Sequence, residues 1–159
     1  MMDILRILEK DARTSHKTLA TMTGTPVAEV DRIVAEAEKT QTILKYKTVI
    51  DWHKAGVQEI LALIEVRTTP QRDTGFDAIA ERIAGFAEAR SVYLVSGTYD
   101  LLVLVAAKDI YEVSRFVSNK VAPIEAVTGT VTHFVLRRFK EDGDLLVGRE
   151  QSLRQSISP

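Results

Sequence analysis

The sequence predicts an α+β chain in two modules: a helical module, then a domain in which sheet and helix alternate. Two observations carry this. Apolar residues recur at helical spacings of three and four through the first 40 residues, and from Glu59 onward strand-like runs and helical spacings take turns. The composition agrees. The 159 residues are 45% hydrophobic and 27% charged, which suits one ordinary domain or two small ones and excludes a dominantly disordered, collagen-like or mucin-like chain.

In the first module, Ile4, Leu5, Leu8 and Ala12 share one face of a helix that Asp3 can cap. A second helix starts after Ser15, with Leu19, Ala20 and Met22 inward. Thr23-Gly24-Thr25 breaks the pattern, and Thr25-Pro26 reads as a cap followed by the first residue of a third helix. Val27, Val30, Ile33, Val34 and Ala37 carry that helix to about Thr40. Three helices with a glycine-containing turn before the third form the helix-turn-helix pattern, which small three-helix bundles share. Ile43, Leu44, Tyr46, Val49 and Ile50 read as a short strand or wing. Asp51–Gln58 reads as a connector whose tryptophan, Trp52, plugs the junction of two modules.

In the second module, Ile60–Thr68 is a β-branched and leucine-rich strand ended by Thr69-Pro70. Phe76, Ile79, Ala80 and Ile83 mark a helix with Asp73 or Thr74 as its cap. Ser91–Ser96 and Leu101–Ala107 are strands joined around Gly97-Thr98-Tyr99-Asp100. Val113, Phe116, Val117 and Val121 mark a helix stopped by Pro123, and Val127–Phe139 is a last, long strand. The order βαββαβ is a ferredoxin-like split unit with helices on one face of a four-stranded sheet. Nothing else in the chain can cover the other face, so a homodimer is expected. The expected boundaries are 1–52 for the helix-turn-helix module, 53–148 for the βαββαβ domain and 149–159 for a polar tail.

Several function classes recede. The longest apolar run, Leu101–Ala107, falls far short of the roughly 20 residues of a membrane span, and Met1–Arg6 opens no signal peptide, so no membrane partner is expected. There is no cysteine, which removes disulfides and thiolate chemistry and suits a reducing cytoplasm. Basic and acidic residues balance at 21 against 22, so bulk charge announces no partner. His16, His53 and His133 lack paired metal-ligand spacing, and neither a nucleophile elbow nor a phosphate loop is present; the chain reads as a non-enzyme without metal or cofactor. His16 near a helix start reads as a solvent or phosphate contact, and His133 as a satisfied packing residue. Glu81, Arg82, Glu88 and Arg90 read as a solvated face.

The helix-turn-helix and βαββαβ order, with three further segments, resembles the Lrp/AsnC family of bacterial and archaeal transcriptional regulators. The segments are Thr69-Pro70-Gln71-Arg72-Asp73-Thr74-Gly75-Phe76-Asp77, then Tyr93 to Asp100, then Thr132 to Leu136 followed by Lys140-Glu141-Asp142-Gly143. The resemblance runs from about Ile4 to Gly148. It implies an amino-terminal module that binds double-stranded DNA and a carboxy-terminal sensing domain. It also implies homodimers that assemble further, often to octamers, and a small effector, commonly an amino acid.

Candidate effector-binding residues are Ser96, Gly97, Thr98, Tyr99 and Asp100. Glycine allows close approach of a ligand, and Asp100 can accept from an α-ammonium group. The same Gly-x-x-Asp is also plain hairpin chemistry. In the family this turn lies between dimers and a neighbouring subunit supplies the second side of the site, for which Thr130 and Thr132 are the candidates. Candidate DNA-binding residues are Lys17, Thr25, Arg32, Lys39, Lys45 and Lys47. Here the sequence departs from the family. Val27–Lys39 sets Arg32 and Lys39 against Glu29, Asp31, Glu36 and Glu38; Gln41 replaces a helix-ending glycine, Lys45 a second glycine, and Ala37 a larger residue. In one reading the basic residues surround the groove while the acids lie off the DNA or accept from cytosine amino groups; a dimer then sets two third helices in successive major grooves roughly 34 Å apart. In the other, the chain is an effector-binding oligomer with weak or no DNA binding.

Overall fold

A computed structural model describes residues 1–69 and 75–146. It falls into two compact units, Met1–Ile50 and Asp51–Pro159.

In the first unit α1 spans Met2–Lys10, α2 His16–Thr23 and α3 Val27–Lys39. Helix α1 starts two residues earlier than a cap at Asp3 requires, so Asp3 sits in the first turn, where its charge faces the positive end of the helix dipole. Helix α2 starts after Ser15 as expected, and Ser15 caps it, its hydroxyl accepting from the Thr18 N–H at 3.1 Å. Gly24 closes α2 with φ +64, the left-handed conformation glycine adopts without a Cβ penalty. Pro26, with ψ 142, is the boundary residue of α3 and not its first helical residue, and Thr25 makes no cap. The Thr25 hydroxyl instead accepts from Thr23 at 3.0 Å. Ile4, Leu8, Leu19, Val30 and Val34 form the core. Ala37 is buried at the end of the same stripe, whereas Met22, expected inward, is exposed. The strand or wing expected over 43–50 is not formed: residues 44–50 belong to neither helix nor strand, and Leu44 is 83% exposed.

In the second unit a half-buried Trp52 opens a turn that the Val57 N–H closes onto the Trp52 carbonyl at 2.9 Å. Strand β1 spans Ile60–Thr68, α4 Asp77–Ala84, β2 Ala89–Leu94, β3 Leu101–Ala107, α5 Ile110–Phe116 and β4 Val127–Phe134. The sheet order is β2-β3-β1-β4, antiparallel throughout. The register sets Ile64 opposite Val103 on one side and Thr132 on the other. One face of the sheet therefore carries Ile64, Val66, Val103 and Val105 into a core completed by Ile79 and Ile83 of α4 and by Phe116, Val121 and Ile124. Phe86 meets Phe116 edge-to-face at 5.8 Å. Helices α4 and α5 pack on that face. On the other, Tyr93 and Val131 are exposed and Leu63, Leu102 and Leu104 half-buried.

Three local details differ from expectation. Strand β2 begins at Ala89, across a bulge that shifts its register on β3 between Ala89 and Ser91, and ends at Leu94. Helix α5 runs into a single π-turn, Val117–Val121, before Pro123. Strand β4 stops at Phe134, not Phe139: the Val135 N–H makes a last bond to the Leu61 carbonyl, and β1 offers nothing beyond Ile60. Lys140–Glu141 (β5) and Asp144–Leu145 (β6) form a small hairpin, turned by Asp142 and Gly143 at φ +45 and +96. The expected caps Asp73 and Thr74, and the tail 149–159, lie outside the described residues. No helix among the described residues is long and apolar enough to cross a membrane.

Candidate functional sites

Helix α3 buries Val30, Val34 and Ala37. Ala28, Arg32, Ala35 and Lys39 recur at spacings of four and three on the opposite, exposed side. The two basic residues thus share one outward stripe with two alanines. The four carboxylates flank it, Glu29 and Glu36 on one side and Asp31 and Glu38 on the other. Three of them have partners. Glu29 holds the Arg32 guanidinium in a two-point pair at 2.9 and 2.6 Å. Asp31 meets His16 Nδ1 from α2 at 2.5 Å, and Glu38 accepts from the Tyr46 hydroxyl at 2.8 Å. The Arg32 contact holds the Glu29 carboxyl below its ordinary range and raises the guanidinium in turn. Desolvation, followed by the neighbouring Glu38, pushes the Tyr46 hydroxyl up. His16, expected to be a solvent or phosphate contact, is thus tied to α3. Lys17, Lys45 and Lys47 are exposed, and Thr25 is half-buried just before the helix. The i,i+3 spacing of Glu29 and Arg32 was legible in the sequence; the pairs from His16 and Tyr46 needed the fold.

At the β2–β3 turn, Ser96, Gly97 and Thr98 are exposed while Tyr99 and Asp100 are half-buried. Asp100 acts as a strut. Its Oδ2 accepts from the Thr68 N–H at 2.7 Å and from the Thr68 hydroxyl at 3.3 Å. Its backbone bridges Val66 and Val95. Gly97 has no need of glycine within the chain, because a Cβ there would meet nothing within 4 Å and its φ is not positive. Thr130 and Thr132 are not brought to this turn. They face Val66 and Ile64 across β1, whereas Asp100 sits on the β3 side of Val66, two strand spacings or about 10 Å away.

His133 is corrected from a packing residue to a 52% exposed side chain on the uncovered sheet face, 3.0 Å from Glu65. Glu88 and Arg90 are no simple solvated face. Lys120 Nζ binds Glu88 at 2.6 Å and lies over the Phe86 ring, and Arg90 pairs with Glu59. Arg115, Phe116 and Asn119 line a groove of about 400 Å³ beside this pair. Among the described residues no three histidine or carboxylate side chains are arranged to hold a metal ion.

Comparison with known proteins adds to this geometry. Residues 61–145 match the Lrp/AsnC ligand binding domain. The chain is 42% identical over 158 residues to YugG, an uncharacterized HTH-type transcriptional regulator of Bacillus subtilis, covering 99% of this chain and 95% of that one. It is 31% identical over 137 residues to the HTH-type transcriptional regulator LrpA of Pyrococcus abyssi, covering 86% and 94%. In fold it is similar to a feast or famine regulatory protein from M. tuberculosis complexed with L-methionine, with a TM-score of 0.69 and 22% identity over 91% of this chain and 95% of that one.

Proposed function

This chain belongs to the Lrp/AsnC family of transcriptional regulators, and on that premise we propose that it is a cytoplasmic, sequence-specific DNA-binding regulator controlled by an amino-acid effector. Residues 1–52 are the DNA-binding module, 53–148 the sensing and oligomerisation domain. The observation that carries the DNA reading is the outward stripe of α3, where Arg32 and Lys39 stand among alanines with the carboxylates displaced to the flanks. That arrangement favours the reading in which the acids lie off the DNA. Thr25, Lys17, Lys45 and Lys47 add phosphate contacts around it. Replacing Arg32 with Ala should weaken operator binding more than tenfold, about 1.4 kcal/mol; unaltered affinity in a fluorescence anisotropy titration would remove Arg32 from the interface.

For the effector, support comes from Gly97, whose exposed backbone has space for a ligand and no role within the chain that demands glycine. The effector lies against Ser96–Asp100, and Thr130 and Thr132 of a neighbouring copy complete the site. The neighbour bound to L-methionine supports an amino acid as the ligand class. The uncovered sheet face supports a homodimer, and the effector acts by favouring one assembly over another, since equal affinity for two states shifts neither. One observation supports a second reading, an effector-binding oligomer with little affinity for DNA: α3 keeps two more acidic than basic residues. Loss of DNA binding with effector binding intact would favour it.

A further inference from the structure

Arg32 stands at the centre of the exposed stripe of α3 with its guanidinium already half used. Nε donates to Glu29 Oε2 and Nη2 to Glu29 Oε1, so the pair meets side-on. A guanidinium carries five N–H donors in one rigid plane. The side-on pair takes the Nε hydrogen and one on Nη2. The end-on edge, formed by Nη1 and the second hydrogen of Nη2, is left for another planar pair of acceptors. Two such acceptors occur in duplex DNA, a phosphate and the major-groove edge of guanine with its O6 and N7. Charge separates them. Arg32 and Glu29 together are neutral, so a phosphate gains little attraction from the pair and also meets the carboxylate. A guanine edge is uncharged and needs the fork held in the right plane, which is what the two-point contact provides. Ala28 and Ala35, on the same stripe, leave room for the helix to approach base edges.

We propose that Glu29 is a positioning residue that holds Arg32 for the readout of one guanine in each half-site, so the DNA this regulator selects carries a G·C pair facing Arg32. The inference rests on the DNA-binding reading above.

The test is selection from a randomised duplex pool by the full chain, followed by anisotropy titrations on the selected duplex and on its guanine-to-adenine variant. Wild type, Arg32→Ala, Glu29→Gln and Glu29→Ala are compared, with circular dichroism to verify the fold. The wild type should prefer guanine about tenfold at one position per half-site. Arg32→Ala should lose that preference. Both Glu29 variants should still bind DNA but flatten the preference at this position alone, to less than about threefold. A tighter-binding Glu29 variant with the preference intact would overturn the proposal, because the carboxylate would then merely compete with DNA. Wild-type binding with no Arg32-dependent guanine overturns the proposal and leaves the DNA reading standing. No wild-type binding to any duplex overturns both.

Discussion

Replacing Gln41 with glycine should stabilise the protein. Gln41 follows α3 with φ +55, its N–H donating to the Glu38 carbonyl at 3.1 Å while the Ile43 N–H returns to Ala37 at 2.9 Å. The turn thus keeps the left-handed backbone of a helix-ending glycine although the residue has a side chain. A Cβ in that region crowds the following carbonyl at a cost of about 1–2 kcal/mol. Glycine removes this cost but gives back roughly 0.5–1 kcal/mol through the extra freedom of the unfolded chain. The Gln41 side chain is exposed, so little packing is lost. The expected net gain is about 0.5–1 kcal/mol, or ~2 °C in Tm for a chain of this size. Urea unfolding followed by far-ultraviolet circular dichroism measures it, with Gln41→Ala as the control that keeps the Cβ and should stay within about 0.5 kcal/mol of wild type. If Gln41→Gly is no more stable than wild type, the reasoning about this turn is refuted.

Three further outcomes are expected. Asp100→Ala should cost about 1–3 kcal/mol by leaving the Thr68 N–H without its acceptor, while Asp100→Asn, which keeps an oxygen there, should cost less. Both should lose the amino-acid response, so the Asn variant separates the strut from the ligand contact; thermal melts identical to wild type for Asp100→Ala would contradict the strut. Val131→Asp puts a charge on the uncovered sheet face and should turn the proposed homodimer into folded monomers in light scattering, and an undiminished dimer would move the interface elsewhere. The Lys120 contact, followed by a backbone hydrogen bond, holds the Glu88 carboxyl below its ordinary range. The pair's contribution is therefore present above the glutamate range and is lost as pH falls through the lowered value. The stability gap between wild type and Lys120→Met should shrink in acid, and a gap independent of pH would contradict the pairing.

The sequence made the elements legible where hydrophobic period and partner agreed. Ile60–Thr68 and Leu101–Ala107 are strands with the expected limits because they are apolar and flanked on both sides by other strands. Residues 135–138 include the β-prone Val135 and Leu136, but among the described residues no strand lies beside them, and Leu136 is 97% exposed. Strand formation depends on that partner, which periodicity does not reveal. The region 43–50 failed for a related reason. Tyr46 spends its hydroxyl on Glu38 of α3, and no ladder forms. The candidate sites divide in the same way. The stripe of Arg32 and Lys39 follows from helical spacing alone, but the use of Asp100 as a strut and the joining of His133 to Glu65 are products of strand register. Glu88 and Lys120 are 32 residues apart, and their pairing became visible only in the fold.

The central claim is that the outward stripe of α3 binds DNA. Fluorescence anisotropy of the full chain on duplex from upstream of its own gene, at roughly 50 and 200 mM salt, tests it most directly when run beside an Arg32→Ala, Lys39→Ala double variant. Tight binding that weakens with salt and largely disappears in the double variant is the predicted result. Wild-type binding that the double variant reproduces at both salts would contradict the claim.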